Sequence, residues 1–295
     1  MQDLKDRVAV VTGAASGIGL ALALRFAERG MRLVLADIEP QPLAAALERV
    51  RALGAEAIAL PTDVAAAAAV EALADAAFAR FGRVHVLCNN AGVAVPGLGS
   101  AAWLPSLADW QWILGVNLMG VVHGVRAFVP RMLDGGDEGH VVNTASVAGL
   151  ITGSNPYHVS KHGVTCFTEG LYKDLRRIGA RISASVLCPG LIRTDIMKAE
   201  RNRPAELGPA LDPSTLPAAQ QQAIHAFEQA LDAGWKPEQV AQQVEDAVRA
   251  DRFYVLPAQA PLLDLVDQRL NDLLARRNPT PTMPLFDPAP PARRG

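Results

Sequence analysis

Short apolar runs alternate with longer stretches of helical period along most of the chain. Runs of strand length, rich in valine, leucine and isoleucine, fall at residues 7–12, 32–36, 56–60, 84–89, 140–145 and 181–188, with a seventh at 253–256. Between them the pattern predicts helices over 17–29, 42–53, 67–81, 109–132 and 156–178; Gly30 stops the first, and Gly135 and Gly136 break the fourth. Apolar-rich runs of this length between helices are expected of parallel strands covered on both faces. Strand and helix in strict alternation predict βαβ units with right-handed crossovers. The expected fold class is therefore α/β: a doubly wound, Rossmann-like parallel sheet of about seven strands with helices on both faces.

One segment breaks the rhythm. Residues 190–235 contain no strand-like run and are rich in proline, alanine and glutamine. Such an insert beside a sheet reads as a pocket wall or lid, with a plain surface helix pair as the alternative. Residues 1–277 are expected to form a single unit that includes this insert. The proline-rich stretch 278–295 reads as an extended tail or an arm reaching a neighbouring subunit.

Composition narrows the function classes. Half the residues are apolar, enough for a sizeable core, and the net charge of −2 offers no electrostatic reason to expect nucleic acid or an anionic membrane. The three cysteines, Cys88, Cys166 and Cys188, are widely separated and suggest neither disulfides nor a metal site. His85, His123, His140 and His225 are scattered, so no metal centre is expected. The first residues are polar, with no secretory signal, and no run approaches the ~20 continuous apolar residues of a membrane span. A cytoplasmic location is the expectation.

The first candidate chemistry follows the first strand: Thr12-Gly13-Ala14-Ala15-Ser16-Gly17-Ile18-Gly19. Glycines let a backbone turn tightly against phosphates, and the free N–H groups of a helix start attract them. The spacing is Gly-x3-Gly-x-Gly, and a strand before with a helix after is the context a pyrophosphate site needs. The second strand ends at Asp37, whose carboxylate can accept hydrogen bonds from both ribose hydroxyls of an adenosine and would repel a 2′-phosphate. NAD is therefore expected over NADP.

Tyr157-His158-Val159-Ser160-Lys161 opens a predicted helix. Tyr157 and Lys161, about one turn apart, share a face. An unperturbed phenol, with a pKa near ~10, is about one part in a thousand ionised at neutral pH; a nearby ammonium favours the phenolate. Alone, this spacing also describes an amphipathic helix with a packed tyrosine and a solvated lysine. Ser146, just after the fifth strand, could orient a substrate oxygen, or simply cap a turn. His158 and His162 are expected to face away from Tyr157, and Trp103, Trp110 and Trp112 to be packing or subunit-contact residues.

Together these residues resemble the short-chain dehydrogenase/reductase family. The matching positions are residues 12–19, Asp63 and Val64, Asn89 to Gly92, Asn117, Ser146, Tyr157, Lys161, Pro189 and Gly190, in family order. The resemblance implies that Gly13, Ser16, Gly17, Ile18 and Gly19 hold the pyrophosphate and that Asp63 and Val64 lie beside the adenine. It implies that Asn90, Ala91 and Gly92 line the nucleotide site. Pro189, Gly190, Ile192 and Thr194 should pass along the nicotinamide. Asn117 should help hold a water linking Lys161 to solvent, Ser146 should orient the substrate oxygen, and Tyr157 should exchange the proton. Lys161 should bind the nicotinamide ribose and lower the tyrosine pKa. The resemblance also implies a homodimer or homotetramer, formed through the two long helices that carry Asn117 and Tyr157.

Val93, Val95, Leu98, Leu150, Leu191, Ile196 and Met197 are available to a substrate pocket, and Arg193 is nearby. The apolar set predicts a neutral, hydrophobic secondary alcohol or its ketone. The insert, with Arg201-Asn202-Arg203-Pro204-Ala205, and the long C-terminus are similar to bacterial dehydrogenases of bulky aryl carbinols, including lignin-type β-aryl ethers. A steroid or terpene alcohol fits the same chemistry. Epimerisation or dehydration on the same frame, and a non-catalytic nucleotide-binding scaffold or sensor, are the competing readings.

Overall fold

A computed structural model describes residues 1–95, 102–208 and 212–280. The strands are β1 (Val8–Thr12), β2 (Arg32–Asp37), β3 (Ala57–Pro61), β4 (Val86–Asn89), β5 (Gly139–Thr144), β6 (Ile182–Leu187) and β7 (Tyr254–Val255). The helices are α1 (Gly17–Glu28), α2 (Pro40–Ala52), α3 (Ala67–Phe81), α4 (Leu107–Leu114), α5 (Gly120–Gly135), α6 (Pro156–Arg177), α7 (Ala218–Asp232), α8 (Pro237–Ala250) and α9 (Ala260–Leu274). All seven strands run parallel, in the order β3-β2-β1-β4-β5-β6-β7. The chain reverses its winding direction between β1 and β4, which opens a crevice at their carboxyl ends.

Every residue of β1, β4, β5 and β6 is buried, including the polar His140, Asn143 and Ser185 within β5 and β6. One face of the sheet packs Leu22, Phe26, Leu33, Leu35 and Val244 together, against α1, α2 and α8. The other packs Val10, Val34, Leu73, Phe128 and Val141, against α3, α5 and α6. With both faces covered, ligand access is confined to the strand ends.

The predicted helix over 109–132 differs in detail. It begins with a capping box in which Ser106 Oγ accepts from the Asp109 N–H at 3.1 Å. It then passes through a π-helical turn, Gly115–Met119, before α5. Such turns concentrate at functional sites because the extra residue re-aims the helix. The stretch Leu107–Gly135 is long and apolar enough to cross a membrane by length and composition, but 61% of its most apolar window is buried inside this fold.

The insert forms 3₁₀ turns and α7. Its two ends are tied by a bridge between Ile192 and Trp235, with the Trp235 N–H donating to Leu191 O at 3.0 Å and the Arg193 N–H to Trp235 O at 2.9 Å. Leu98 and most of the proline-rich tail lie outside the described residues.

Candidate active site

The glycine turn is shaped by close approach. Gly13 and Gly17 have φ of +65° and +52°, the left-handed region that side chains resist. A Cβ on Gly13 would stand 2.8 Å from Ala91 Cα, and one on Gly19 only 2.0 Å from Gly13 O. Gly19 thus lies beneath the turn rather than on the cavity wall. Thr12 Oγ1 accepts from the N–H groups of Asn90 (2.9 Å) and Ala91 (3.1 Å), while Asn90 Nδ2 donates to Thr12 O at 3.1 Å. These bonds stitch the ends of β1 and β4 together. At the start of α1, no side chain caps the helix and no acidic residue occupies the first turn. Its N–H groups and partial positive charge are available to a phosphate. Those features, with no Cβ in the way, fit a dinucleotide pyrophosphate.

Asp37 closes the far end of this region. Its carboxylate accepts from the N–H groups of Ala15 (2.9 Å) and Glu39 (3.1 Å). Burial pushes its pKa up, against the lowering effect of those bonds. Asp63 and Val64 stand nearby on the same cavity wall.

The helix α6 starts at Asn155, whose side chain accepts from the His158 N–H at 3.0 Å, with Pro156 in the first turn. Tyr157 and Lys161 line the cavity one turn apart. Lys161 Nζ donates to Thr144 O at 3.0 Å and lies 5.7 Å from the centroid of the Tyr157 ring. Burial pushes the Lys161 ammonium down to about 8. Burial also pushes the Tyr157 phenol up, opposed by a hydrogen bond with Ser146. In the chain alone, desolvation sets the direction for the phenol, opposite to the lowering expected from Lys161. Ser146 caps the turn Val147–Gly149, accepting from the Ala148 N–H at 3.1 Å, and it also faces the cavity.

Asn117 is fully buried and does not line the cavity. Its carboxamide accepts from the Val93 N–H at 2.8 Å and donates to Val93 O at 3.0 Å and to Ser160 Oγ at 3.2 Å. Ser160 Oγ in turn donates to Tyr157 O at 2.7 Å. The π-helical turn therefore braces both the loop after Gly92 and the first turn of α6.

All these elements surround one cavity of about 1050 Å³. Gly13, Ser16, Gly17, Ile18, Asn90, Ala91, Gly92, Pro189, Gly190, Ile192 and Thr194 line it, together with Ile196 and the expected pocket residues Val93, Leu191 and Met197. Val95 and Leu150 do not. Val95 packs beside Trp112 and Ile113, and Leu150 turns under the site toward Val121 and Val164. Arg193 is engaged with Asp232 O at 2.9 Å instead of facing the cavity.

Several residues of the wall escaped the sequence reading, Trp103 among them, and the insert expected as a pocket wall supplies others from α7. His158 lines the cavity rather than facing away, its ring 6.4 Å from that of Tyr157. Its Nδ1 lies 3.1 Å from Asn155 Oδ1, and burial pushes its pKa down to about 4, so the ring is neutral. Trp112 both packs and lines the cavity, with the Arg203 guanidinium 5.4 Å over its ring. From α7, Gln220, Ala223, Ile224, Phe227 and Leu231 face inward. Their spacing of three and four residues was the available signal. Among the described residues, no group of three or more His, Cys, Asp or Glu side chains is placed to hold a metal.

Comparison with known proteins bears on this arrangement. The family model for short chain dehydrogenase matches residues 7–205. A short chain dehydrogenase/reductase from Burkholderia phymatum, solved in complex with NAD, superposes with a TM-score of 0.90 at 43% identity, covering 97% of this chain and all of that one. The 1-deoxy-11-beta-hydroxypentalenate dehydrogenase of Streptomyces avermitilis is 38% identical over 92% of this chain and 91% of its own. The C alpha-dehydrogenase of a Sphingobium strain is 31% identical over 87% and 82%. The chain belongs to the short-chain dehydrogenase family and is an oxidoreductase of that fold.

Proposed function

We propose that the protein interconverts a hydrophobic secondary alcohol and its ketone with NAD, and that Tyr157 exchanges the proton. One observation carries this reading. Tyr157, Lys161 and Ser146 stand on the wall of the same cavity as the glycine turn and Asp37. A bound nicotinamide supplies the hydride acceptor for oxidation or the donor for reduction.

The remaining steps belong to the chain. Ser146 Oγ holds the substrate oxygen against Tyr157 Oη. In oxidation the alcohol proton passes to the phenolate as the C–H bond gives up its hydride; in reduction the phenol returns that proton to the carbonyl oxygen. Burial alone keeps the phenol protonated, so the phenolate depends on positive charge close by. Lys161 supplies it below a pH of about 8. Asn117 positions both the Gly92–Val93 loop and the Tyr157 backbone, through Val93 and Ser160. Asp37 accepts from the adenosine ribose, which favours NAD over NADP.

The substrate end supports a neutral, bulky ligand, with an aryl carbinol as the first class to try. Val93, Trp112, Leu191, Met197, Ile224 and Phe227 present mostly apolar surface. The similarity to a hydroxypentalenate dehydrogenase favours a terpenoid or steroid alcohol as the second reading. Exposed Met119 and Val159, on the two long helical segments expected to pair, support a homodimer or homotetramer; light scattering measures it directly.

A panel of neutral secondary alcohols and short charged hydroxy acids, followed by nicotinamide absorbance, tests the proposal. Turnover should rise with apolar bulk around the carbinol. Good turnover confined to the charged hydroxy acids would overturn it.

A further inference from the structure

Only two cationic side chains line the cavity among the described residues, Lys161 and Arg201. They serve different ends of it. Lys161 sits at the end of β5, three strand spacings or ~14 Å from the end of β2. Arg201 reaches from the 3₁₀ segment Ile196–Asn202 to the loop directly after Asp37.

Arg201 is paired there through each of its three side-chain nitrogens. Its Nε donates to Glu39 Oε1 at 2.8 Å and its Nη2 to Glu39 Oε2 at 2.7 Å, a two-pronged carboxylate pairing. Its Nη1 donates to Lys198 O at 2.7 Å. Glu39 is tied in turn to the ribose-facing carboxylate, because its N–H donates to Asp37 Oδ1 at 3.1 Å. Asp195 adds a further negative charge near the guanidinium and carries Lys198 on its own carboxylate at 2.6 Å.

NADP differs from NAD by a phosphate on the adenosine 2′-oxygen. A site accepts that dianion when it offers an unspent cation, and Arg is the side chain best matched to phosphate. This chain holds a guanidinium at the right end of the cavity but neutralises it with Glu39. We infer that Glu39 is a cofactor-specificity residue: by occupying Arg201 it denies a 2′-phosphate its only cationic partner among the cavity-lining residues described, adding to the repulsion from Asp37. The same ion pair ties the substrate insert to the cofactor wall, so cofactor choice and seating of the insert rest on one contact. This inference deepens the NAD reading.

The test is a double-mutant cycle of Glu39→Gln, Arg201→Gln and both together. Its readout is calorimetric binding of adenosine 2′,5′-bisphosphate against adenosine 5′-monophosphate, with the NADP-to-NAD ratio of kcat/KM alongside. Glu39→Gln keeps the side-chain shape but removes the charge and frees Arg201. It should raise relative affinity for the bisphosphate about tenfold, an effect that shrinks at high salt. In the double variant the gain should vanish, because the receiving cation is gone. A Glu39→Gln ratio equal to wild type would overturn the inference, and so would a gain that persists without Arg201. Failure of the NAD reading has a different signature: wild type itself would bind the bisphosphate more tightly than the monophosphate.

Discussion

Two walls enclose the cavity, and they are held in different ways. The cofactor wall consists of the ends of β1, β2 and β4, whose strands are largely or wholly buried and whose glycine turn tolerates no added Cβ at Gly13 or Gly19. The substrate wall consists largely of α7 and the 3₁₀ turns before it. Within α7 only Leu231 is buried, and polar pairs hold the insert: Arg203 to Asp109 at 2.8 Å, Arg201 to Glu39, and the bridge at Ile192 and Trp235. The contrast separates two jobs. The sheet edge holds the glycine turn and the groups beside it rigidly in place. The insert decides what reaches it, and can change without disturbing the core.

The largest effect expected among these variants is that of Lys161→Met, on the cavity wall that both regions share. Turnover should drop about a thousandfold, the middle of the range for lost proton-transfer support. The same variant has a signature in stability. Burial holds the Lys161 pKa at about 8 against an ordinary value of 10.5, so between those values the unfolded chain binds more protons than the folded one. The cost of burying the ammonium is therefore fully present below pH 8 and is relieved at about 1 kcal/mol per pH unit above it. Above pH 10 the buried Tyr157, held protonated, begins to oppose the gain. Denaturant titrations from pH 7.5 to 9.5 should show the slope in wild type, and a slope flatter by that amount in Lys161→Met. Equal slopes would remove the buried-ammonium account.

The cofactor wall should be intolerant even at a position that does not line the cavity. Gly19→Ala drives a methyl into the Gly13 carbonyl, and should cost about 2–3 kcal/mol of stability together with a sharp loss of NAD affinity. The substrate wall should respond more gently and selectively. Ile224→Ala should raise KM for the bulkiest alcohols about three- to tenfold, with little change for small ones, in steady-state assays. Smallest is Arg203→Met, which leaves Asp109 and Glu200 without their shared cation beside Trp112. The loss should be about 1–2 kcal/mol, since Asp109 keeps some access to water. Proteolysis should then cut the insert before the sheet; cleavage of both walls together would contradict the separation.

The same division explains what the sequence could tell. Strands buried on both faces are mostly apolar, so β1 and β4 announced themselves; β5 and β6 were legible although they bury His140, Asn143 and Ser185 among their apolar positions. Turns that need φ > 0 need glycine, so Gly13 and Gly17 were readable, and helical spacing put Tyr157 and Lys161 together. The π-helical turn at Asn117 was not readable, because a shift in hydrogen-bond partners leaves the hydrophobic period almost untouched. His158 was misplaced for a local reason: Asn155 fixes its Nδ1, and the ring packs on Gly153, where a Cβ would fall 2.2 Å from its Cγ. Neither contact belongs to the helix face. Leu150 was assigned by its closeness to Ser146 in the chain, but the turn directs it under the site. The inward face of α7 was diluted by alanine and glutamine in an insert with no neighbouring strand to set its register.

The central claim is that the tyrosine moves the proton while the rest of the cavity binds. Tyr157→Phe removes one hydroxyl and tests it directly. Calorimetric titration with NAD and single-turnover absorbance should be run on the same preparation. The account predicts NAD affinity within about threefold of wild type and hydride transfer slowed by about a thousandfold or more. Hydride transfer at the wild-type rate in that variant would contradict it.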